Sequence, residues 1–139
     1  QTAVQTRSDA RDKVEIQDTV LGLDFIKKLT PRQFKMNSRE LYFEQDKQSD
    51  YTAKNDGSKA GKRFHQGFVA QEVKQVIDEM GVDFAGYQDH KINGGQDVLS
   101  LGYTEFIAPI VKAIQQQQHI IEHLQQRIEL LEQNGKGEI

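Results

Sequence analysis

The 139-residue chain has a length typical of one domain, alone or with an extension. Its net charge of -3 does not suggest a surface that binds polyanions, and the absence of cysteine excludes disulfides and thiolate chemistry. A hydrophobic content of 36% is low for a self-contained globule, so we expect part of the apolar surface to be buried against copies of the chain. No apolar run approaches the roughly 20 residues of a membrane-spanning helix. We therefore expect neither nucleic acid nor membrane as a partner.

The first motif of the chain is RSDARDK at residues 7–13, which follows a polar, weakly alternating start. We interpret residues 1–7 as the end of a strand that belongs to a preceding region. The motif itself has two interpretations. One is a helix start, with Ser8 as the N-cap and Asp9 in the first turn. The other is a nucleophile, because a serine beside a lysine that takes its proton can attack a carbonyl carbon.

The middle of the chain alternates helical patterns with short predicted strands. Apolar residues at spacings of three and four predict a helix over residues 14–29, which Pro31 ends. Further along, we predict a strand at 33–37, a strand or short helix at 39–45, a strand at 63–70, and a helix at 71–81 that Gly81 ends.

Two turn-rich segments interrupt these predicted elements. Residues 46–62 contain almost no apolar side chains and predict an exposed loop or the tip of a hairpin, with its turn at 55–57. Asn93-Gly94-Gly95 predicts the turn of a second hairpin, between the short segments 84–92 and 97–103.

The last segment carries a heptad repeat over residues 107–131. One seam position is always isoleucine, and the other is isoleucine, glutamine, leucine and leucine in turn. The seam residues are Ile107, Ile110, Ile114, Gln117, Ile121, Leu124, Ile128 and Leu131. So narrow an apolar seam on a long helix predicts partner helices in a left-handed supercoil. The Ile-Ile layers favour three strands and the Ile-Leu layers two, so the pattern alone leaves the number open.

Other motifs with a chemical interpretation are weak. HIIEH at 119–123 places His119 and His123 at the spacing of two zinc ligands, but both face away from the seam and lack a third ligand. GSKAGKR at 57–63 departs from a phosphate-binding loop in its glycine spacing and indicates a flexible turn. His65 and His90 are interpreted as surface or hydrogen-bonded side chains. We expect no metal and no cofactor.

Four segments, taken in order, resemble one family. They are SDARDKVEI at 8–16, LDFIKKLTPRQFKMN at 23–37, GFVAQEV at 67–73, and YTEFIAPIVKAIQ at 103–115. Together they resemble the C-terminal intramolecular chaperone of phage endosialidases, tail spikes, neck appendages and tail fibres, a self-cleaving serine peptidase family. The resemblance extends from Ser8 to about Leu131, and the polar insert at 44–62 departs in length from shorter members.

The resemblance implies a domain that trimerises at the end of a fibre polypeptide, guides folding of the upstream fibre and then cuts itself off. Cleavage is implied at the bond between Arg7 and Ser8, with Ser8 and Lys13 as the catalytic pair. The expected partners are copies of the chain and the upstream fibre or spike. The expected location is the cytoplasm of the bacterial host during phage assembly, with release from the virion after cleavage.

The chemistry of such a pair is demanding. Lysine accepts a proton only when neutral, and its reference pKa of about 10.4 requires burial or nearby positive charge before it can act near neutrality. Arg7 and Arg11 are candidates for that charge. Asp9 and Asp12 would have the opposite effect if they faced the lysine, so we expect both to point elsewhere, with Asp9 toward Arg11 or a backbone amide.

The predicted fold class is α+β: a helix-rich homotrimeric domain with short β-hairpins and a long C-terminal coiled-coil helix. We assign residues 1–7 to the end of the upstream fibre region and residues 8–139 to the chaperone domain, with the trimeric coiled coil at 107–131. Its expected activity is a single-turnover, autocatalytic cut by a Ser-Lys dyad. The alternative is a passive C-terminal trimerisation cap without peptidase activity.

Overall fold

A computed structural model describes residues 3–43, 55–92 and 94–136, which form mixed helices and small antiparallel sheets with a long C-terminal helix. In chain order the elements are α1 (Leu23–Lys28), β1 (Arg32–Lys35), β2 (Phe64–Gly67), α2 (Ala70–Met80), β3 (Tyr87–Asp89), β4 (Leu99–Leu101) and α3 (Ile107–Lys136). Short 3-10 helices lie at Ala10–Asp12, Arg39–Tyr42 and Tyr103–Phe106. The α+β class predicted from the sequence is confirmed.

The two sheets are separate antiparallel pairs. β1 pairs with β2, with Phe34 opposite His65, and β3 pairs with β4, with Gln88 opposite Ser100. Both hairpins predicted from the sequence are therefore present. The turn predicted at 55–57 lies slightly further along, at 57–60, where the Gly57 carbonyl accepts the Ala60 amide; just before it, the Asp56 carboxylate accepts the Ser58 amide. Residues 44–54 and Asn93, on which parts of these predictions fall, lie outside the described residues.

The core is a small aromatic and aliphatic cluster between α1, α2 and the start of α3. Phe25 of α1 is fully buried at its centre, with its ring centroid 5.2 Å from that of Phe84 and 6.5 Å from that of Phe106. The other buried members are Leu21, Val73, Val76 and Ile77. α2 contributes three of them because residues three and four apart share one helical face.

The helix predicted over 71–81 is confirmed as α2. It ends at Gly81, whose positive φ of 64° places it in the left-handed region, and whose amide bonds the carbonyl of Asp78. Glycine reaches this conformation without the steric penalty that a Cβ brings, which explains why the helix stops there.

The helix predicted over residues 14–29 is wrong for its first half. Only Leu23–Lys28 is helical, and Glu15 has a positive φ of 53°, which no right-handed helix permits. Val14, Ile16 and Val20 are 87%, 70% and 77% exposed. Their spacing imitates a buried helical face, yet in the single chain they contact no core. The same region instead forms an extended arm, residues 3–20.

The predicted segment at 39–45 is a single 3-10 turn, Arg39–Tyr42, and its last two residues lie outside the described part of the chain. The Tyr42 hydroxyl donates to the Asn37 side chain at 2.6 Å and accepts from the amide of Lys59 at 2.9 Å. This tyrosine therefore ties the two sides of the first hairpin together at the base of the polar segment.

α3 is anchored at its start and projects beyond it. Pro109 and Ala113 are buried, the side-chain oxygen Oε1 of Gln116 accepts the amide of Leu23 at 2.7 Å, and the Lys112 ammonium donates to the backbone carbonyl of Thr19. Every residue from 114 to 136 is exposed. The long helix predicted from the heptads is present, and its seam side chains have no partner helix in the single chain. No helix of the described residues is long and apolar enough to cross a membrane.

Candidate functional site

The RSDARDK motif forms a tight turn near the start of the chain. Ala10–Asp12 is a single 3-10 turn, closed by the amides of Asp12 and Lys13, which donate to the carbonyls of Asp9 and Ala10. Its N-cap is Asp9, whose carboxylate accepts the Arg11 amide. A short helical turn therefore does start in this motif, as predicted, but its N-cap is Asp9 and not Ser8.

This turn brings Ser8 and Lys13 together. The Lys13 ammonium nitrogen Nζ donates to the Ser8 hydroxyl oxygen Oγ at 2.7 Å, within the distance of a proton-transferring pair. A separation of five residues is spanned because the 3-10 turn folds the chain back between the two side chains. Both side chains are exposed in the single chain.

Asp9 is held by Arg11 rather than by the lysine. The guanidinium donates from Nη2 to Oδ2 at 2.7 Å and from Nε to both carboxylate oxygens at 3.1 Å. These hydrogen bonds, with that from the Arg11 amide, lower the pKa of Asp9 and raise that of Arg11. The carboxylate therefore stays ionised and committed to Arg11.

The remaining charges of the turn form a looser pair. The Nε atom of Arg7 lies 3.9 Å from Oδ2 of Asp12, with the arginine side chain 82% exposed. At this exposure water screens the pair, so it orients the segment weakly.

The other candidates from the sequence do not gather into sites. His119 and His123 lie exposed on α3, and within the described residues no three His, Cys, Asp or Glu side chains are placed to hold a metal ion. His65 is exposed in β2. His90 bonds the hydroxyl of Ser100 through Nε2 at 2.8 Å across the second hairpin, as a hydrogen-bonded structural side chain.

One feature was not predicted from the sequence. A cleft forms between the Arg39–Tyr42 turn, the start of α2 and β4, lined by polar groups of Arg39, Gln71, Asp97 and Tyr103. The Arg39 guanidinium donates to the carbonyl of Asp97 at 2.6 Å, and the Tyr103 hydroxyl accepts the amide of Phe68 at 3.1 Å. These residues are far apart in sequence and carry no shared motif, so only the fold brings them together.

A Ser-Lys pair on an α+β body with a projecting C-terminal helix has the components of a chaperone domain of peptidase type. The chain belongs to the chaperone of endosialidase family, peptidase family S74, whose model matches residues 8–82. The match begins at Ser8 and ends after α2, so it contains the turn, the first hairpin and most of the core. Comparison with curated proteins gives no match. Membership supports a chaperone role and a peptidase class for this chain.

Proposed function

We propose that this chain is an intramolecular chaperone that trimerises, guides folding of an upstream phage tail fibre or spike, and then releases itself by cutting the bond between Arg7 and Ser8. The observation that carries the proposal is the 2.7 Å contact between Lys13 Nζ and Ser8 Oγ, in a chain whose family match begins at Ser8. Residues 1–7 then belong to the fibre, and residues 8–139 to the chaperone.

The position of Ser8 dictates the chemistry of the cut. Neutral Lys13 takes the hydroxyl proton, and Oγ attacks the carbonyl carbon of Arg7, which immediately precedes it, through a five-membered ring. The bond from that carbon to the Ser8 nitrogen breaks as the lysine returns the proton to the nitrogen. An ester now joins the Arg7 carbonyl to Oγ. Water, deprotonated by Lys13, hydrolyses the ester to an Arg7 carboxylate and a free Ser8 hydroxyl.

Assembly controls this reaction through the charge of Lys13. In the single chain the side chain is in water, where an ammonium ion is stable and is no base. Burial against neighbouring copies removes that hydration and favours the neutral amine. The exposed apolar side chains of the arm, Val14 and Ile16, suit such burial. Cleavage then reports that the trimer is complete.

The heptad seam of α3 supports trimerisation. Its apolar members are 41% to 67% exposed in the single chain, from Ile110 to Leu131, so a partner helix would bury a continuous stripe. Gln117 interrupts the stripe once, and a single polar layer is a common means of fixing register. The Ile-Ile layers at the start of the seam favour three strands.

Templating follows from joining three chain ends. Strands of a β-structured fibre pair slowly because their contacts are far apart in sequence. A coiled coil formed first raises their effective concentration for one another to the order of millimolar when the linkage is short. We place this step in the cytoplasm of the infected bacterium and expect the released domain to leave the virion.

The test is a chain extended upstream into its fibre, followed on a denaturing gel. Wild type is expected to give two products, the smaller one starting at Ser8 by mass. Ser8→Ala and Lys13→Ala are expected to remain full length. Matched controls are Ser38→Ala and Lys62→Ala, which change the same residue types at exposed positions away from the turn and are expected to cleave normally.

The same gel distinguishes the proposal from a passive trimerisation cap, which the exposure of the Ser8-Lys13 pair in the single chain favours. A cap without peptidase activity predicts an uncut wild type or a cut that neither variant alters. Either result would contradict the proposal. Mass analysis also locates the bond, and a product that begins at another residue would exclude Ser8 as the nucleophile.

A further inference from the structure

Asp9 stands between the two members of the dyad in sequence and beside Ser8 in the turn. Asp9 and Asp12 are the two acidic residues of the RSDARDK motif, so an Asp9 carboxylate without a partner would be free to pair with the lysine. An opposite charge within about 4–6 Å of an amine favours its protonated form, commonly by one to three pH units. A protonated Lys13 cannot take a proton from Ser8.

Arg11 removes that difficulty geometrically. Its guanidinium covers both oxygens of Asp9, at 2.7–3.1 Å, and its amide donates to Oδ1 at 2.9 Å. The second acidic group, Asp12, lies 3.9 Å from Arg7. Glu15 is the next acidic residue along the arm. Among the described residues, the ion pairs and side-chain hydrogen bonds of this turn join residues 7–13 to one another.

We propose that Arg11 is a positioning residue for self-cleavage: by holding the Asp9 carboxylate, it keeps that charge from pairing with Lys13 and so lets the lysine lose its proton at lower pH. This inference rests on the proposed function. Arg11 does not touch the bond that breaks. It acts through Asp9, and it also holds the cap of the 3-10 turn on which the geometry of the dyad depends.

Arginine suits this task better than lysine. Its planar fork bonds both carboxylate oxygens at once and fixes the direction of the Asp9 side chain, whereas an ammonium offers a point charge on a flexible stem. The Arg11 side chain is 89% exposed while Asp9 is 41% exposed, so the arginine lies over the carboxylate from the solvent side.

The experiment measures the rate of self-cleavage against pH in the extended chain, for wild type and for Arg11→Gln, Arg11→Lys, Asp9→Asn and the double variant Asp9→Asn/Arg11→Gln. For Arg11→Gln we expect the midpoint of the rise in rate to move up by about one pH unit, which is about a tenfold slower cut below the midpoint. Arg11→Lys is expected to move it less. The double variant lacks the freed carboxylate, and its midpoint is expected to return to that of wild type.

A slower cut in Arg11→Gln with an unchanged midpoint would overturn the proposal, because it would show that the arginine only supports the turn. A shifted midpoint that persists in the double variant would also overturn it, since the shift would not come from Asp9. Failure of the proposed function is distinguishable: in that case wild type and Ser8→Ala give the same gel at every pH.

Discussion

Phe25 is the single side chain on which the core depends most. It is 0% exposed and touches aromatic rings from two other parts of the chain, Phe84 and Phe106. In the sequence it lies within the helix predicted over residues 14–29, and nothing there marks it as central. Its central position arises because the short α1 lies between α2 and α3, a placement that local spacing does not encode.

Phe25→Ala is expected to lower the free energy of unfolding by about 3–5 kcal/mol, because the cavity cannot be filled by its ring neighbours without moving two elements. Denaturant unfolding followed by circular dichroism measures the change. Val14→Ala is the control and is expected to have little effect in the single chain, where Val14 is 87% exposed. A loss below about 1 kcal/mol for Phe25→Ala would contradict this account of the core.

The Ser8-Lys13 pair shows what a motif can predict at the residue scale. The spacing of five residues is compatible with contact, and the resemblance to a self-cleaving family supplied the roles. The sequence predicts that Asp9 points away from Lys13, toward Arg11 or a backbone amide, and it accepts hydrogen bonds from both the guanidinium and the amide of Arg11. The identity of the N-cap does not follow from the sequence, because Ser8 and Asp9 are equally good caps and the 3-10 geometry selects the second.

Among the elements, β1 and α2 are joined by an ion pair that neither element predicts alone. The Arg32 guanidinium contacts the Glu72 carboxylate at 2.6–3.2 Å. These hydrogen bonds from Arg32 lower the pKa of Glu72 below its ordinary value of 4.5. The two residues are 40 positions apart in the sequence, and no pattern in the polar segment between them predicts their contact.

This pair predicts a pH dependence. Since the pKa of Glu72 is lower in the folded chain, its contribution is fully present above pH 4.5, the ordinary value, and is lost as the pH falls through the lower, folded-state pKa. The melting temperature of wild type is therefore expected to exceed that of Glu72→Gln at pH 7, by a small amount because the pair is exposed. The difference is expected to vanish in strong acid. A difference that grew on acidification would refute it.

Spacing rules succeeded for α3 and α2 and failed for the arm. In α3 the apolar repeat extends over nearly four heptads, which is too long to arise by chance. In α2 the apolar face packs against the core. Residues 14–20 carry only three apolar positions, Val14, Ile16 and Val20, and all three are β-branched residues, which favour extended backbone. The positive φ of Glu15 then prevents a helix. A short apolar pattern is therefore weak evidence for a helix, because the segment forms one only where its apolar face can pack against the core.

For the whole molecule, the two regions tied to the proposed function, the arm and the seam of α3, are exposed to solvent in the single chain. The arm carries the dyad and exposed valines, and α3 carries an exposed seam from 114 to 131. We propose that both are buried by copies of the chain, because an apolar stripe as long as that of α3 is unfavourable in solution. α3 is fixed to the root of the arm through Lys112 and Thr19 and to α1 through Gln116 and Leu23, so the proposed association of the helices would bring the arms of neighbouring copies close to one another.

Ile121→Asp tests this link between assembly and cleavage. A charge at the centre of the seam is expected to dissociate the trimer, because burying an unpaired carboxylate costs several kcal/mol per chain. In the extended chain, cleavage is expected to fall by at least tenfold, since Lys13 stays hydrated. Light scattering gives the mass and the gel gives the cut. Gln118→Asp places the same charge outside the seam and is expected to preserve both. If Ile121→Asp is monomeric and still cleaves as fast as wild type, cleavage does not require assembly. That result would contradict the proposal that burial of Lys13 in the trimer activates the cut.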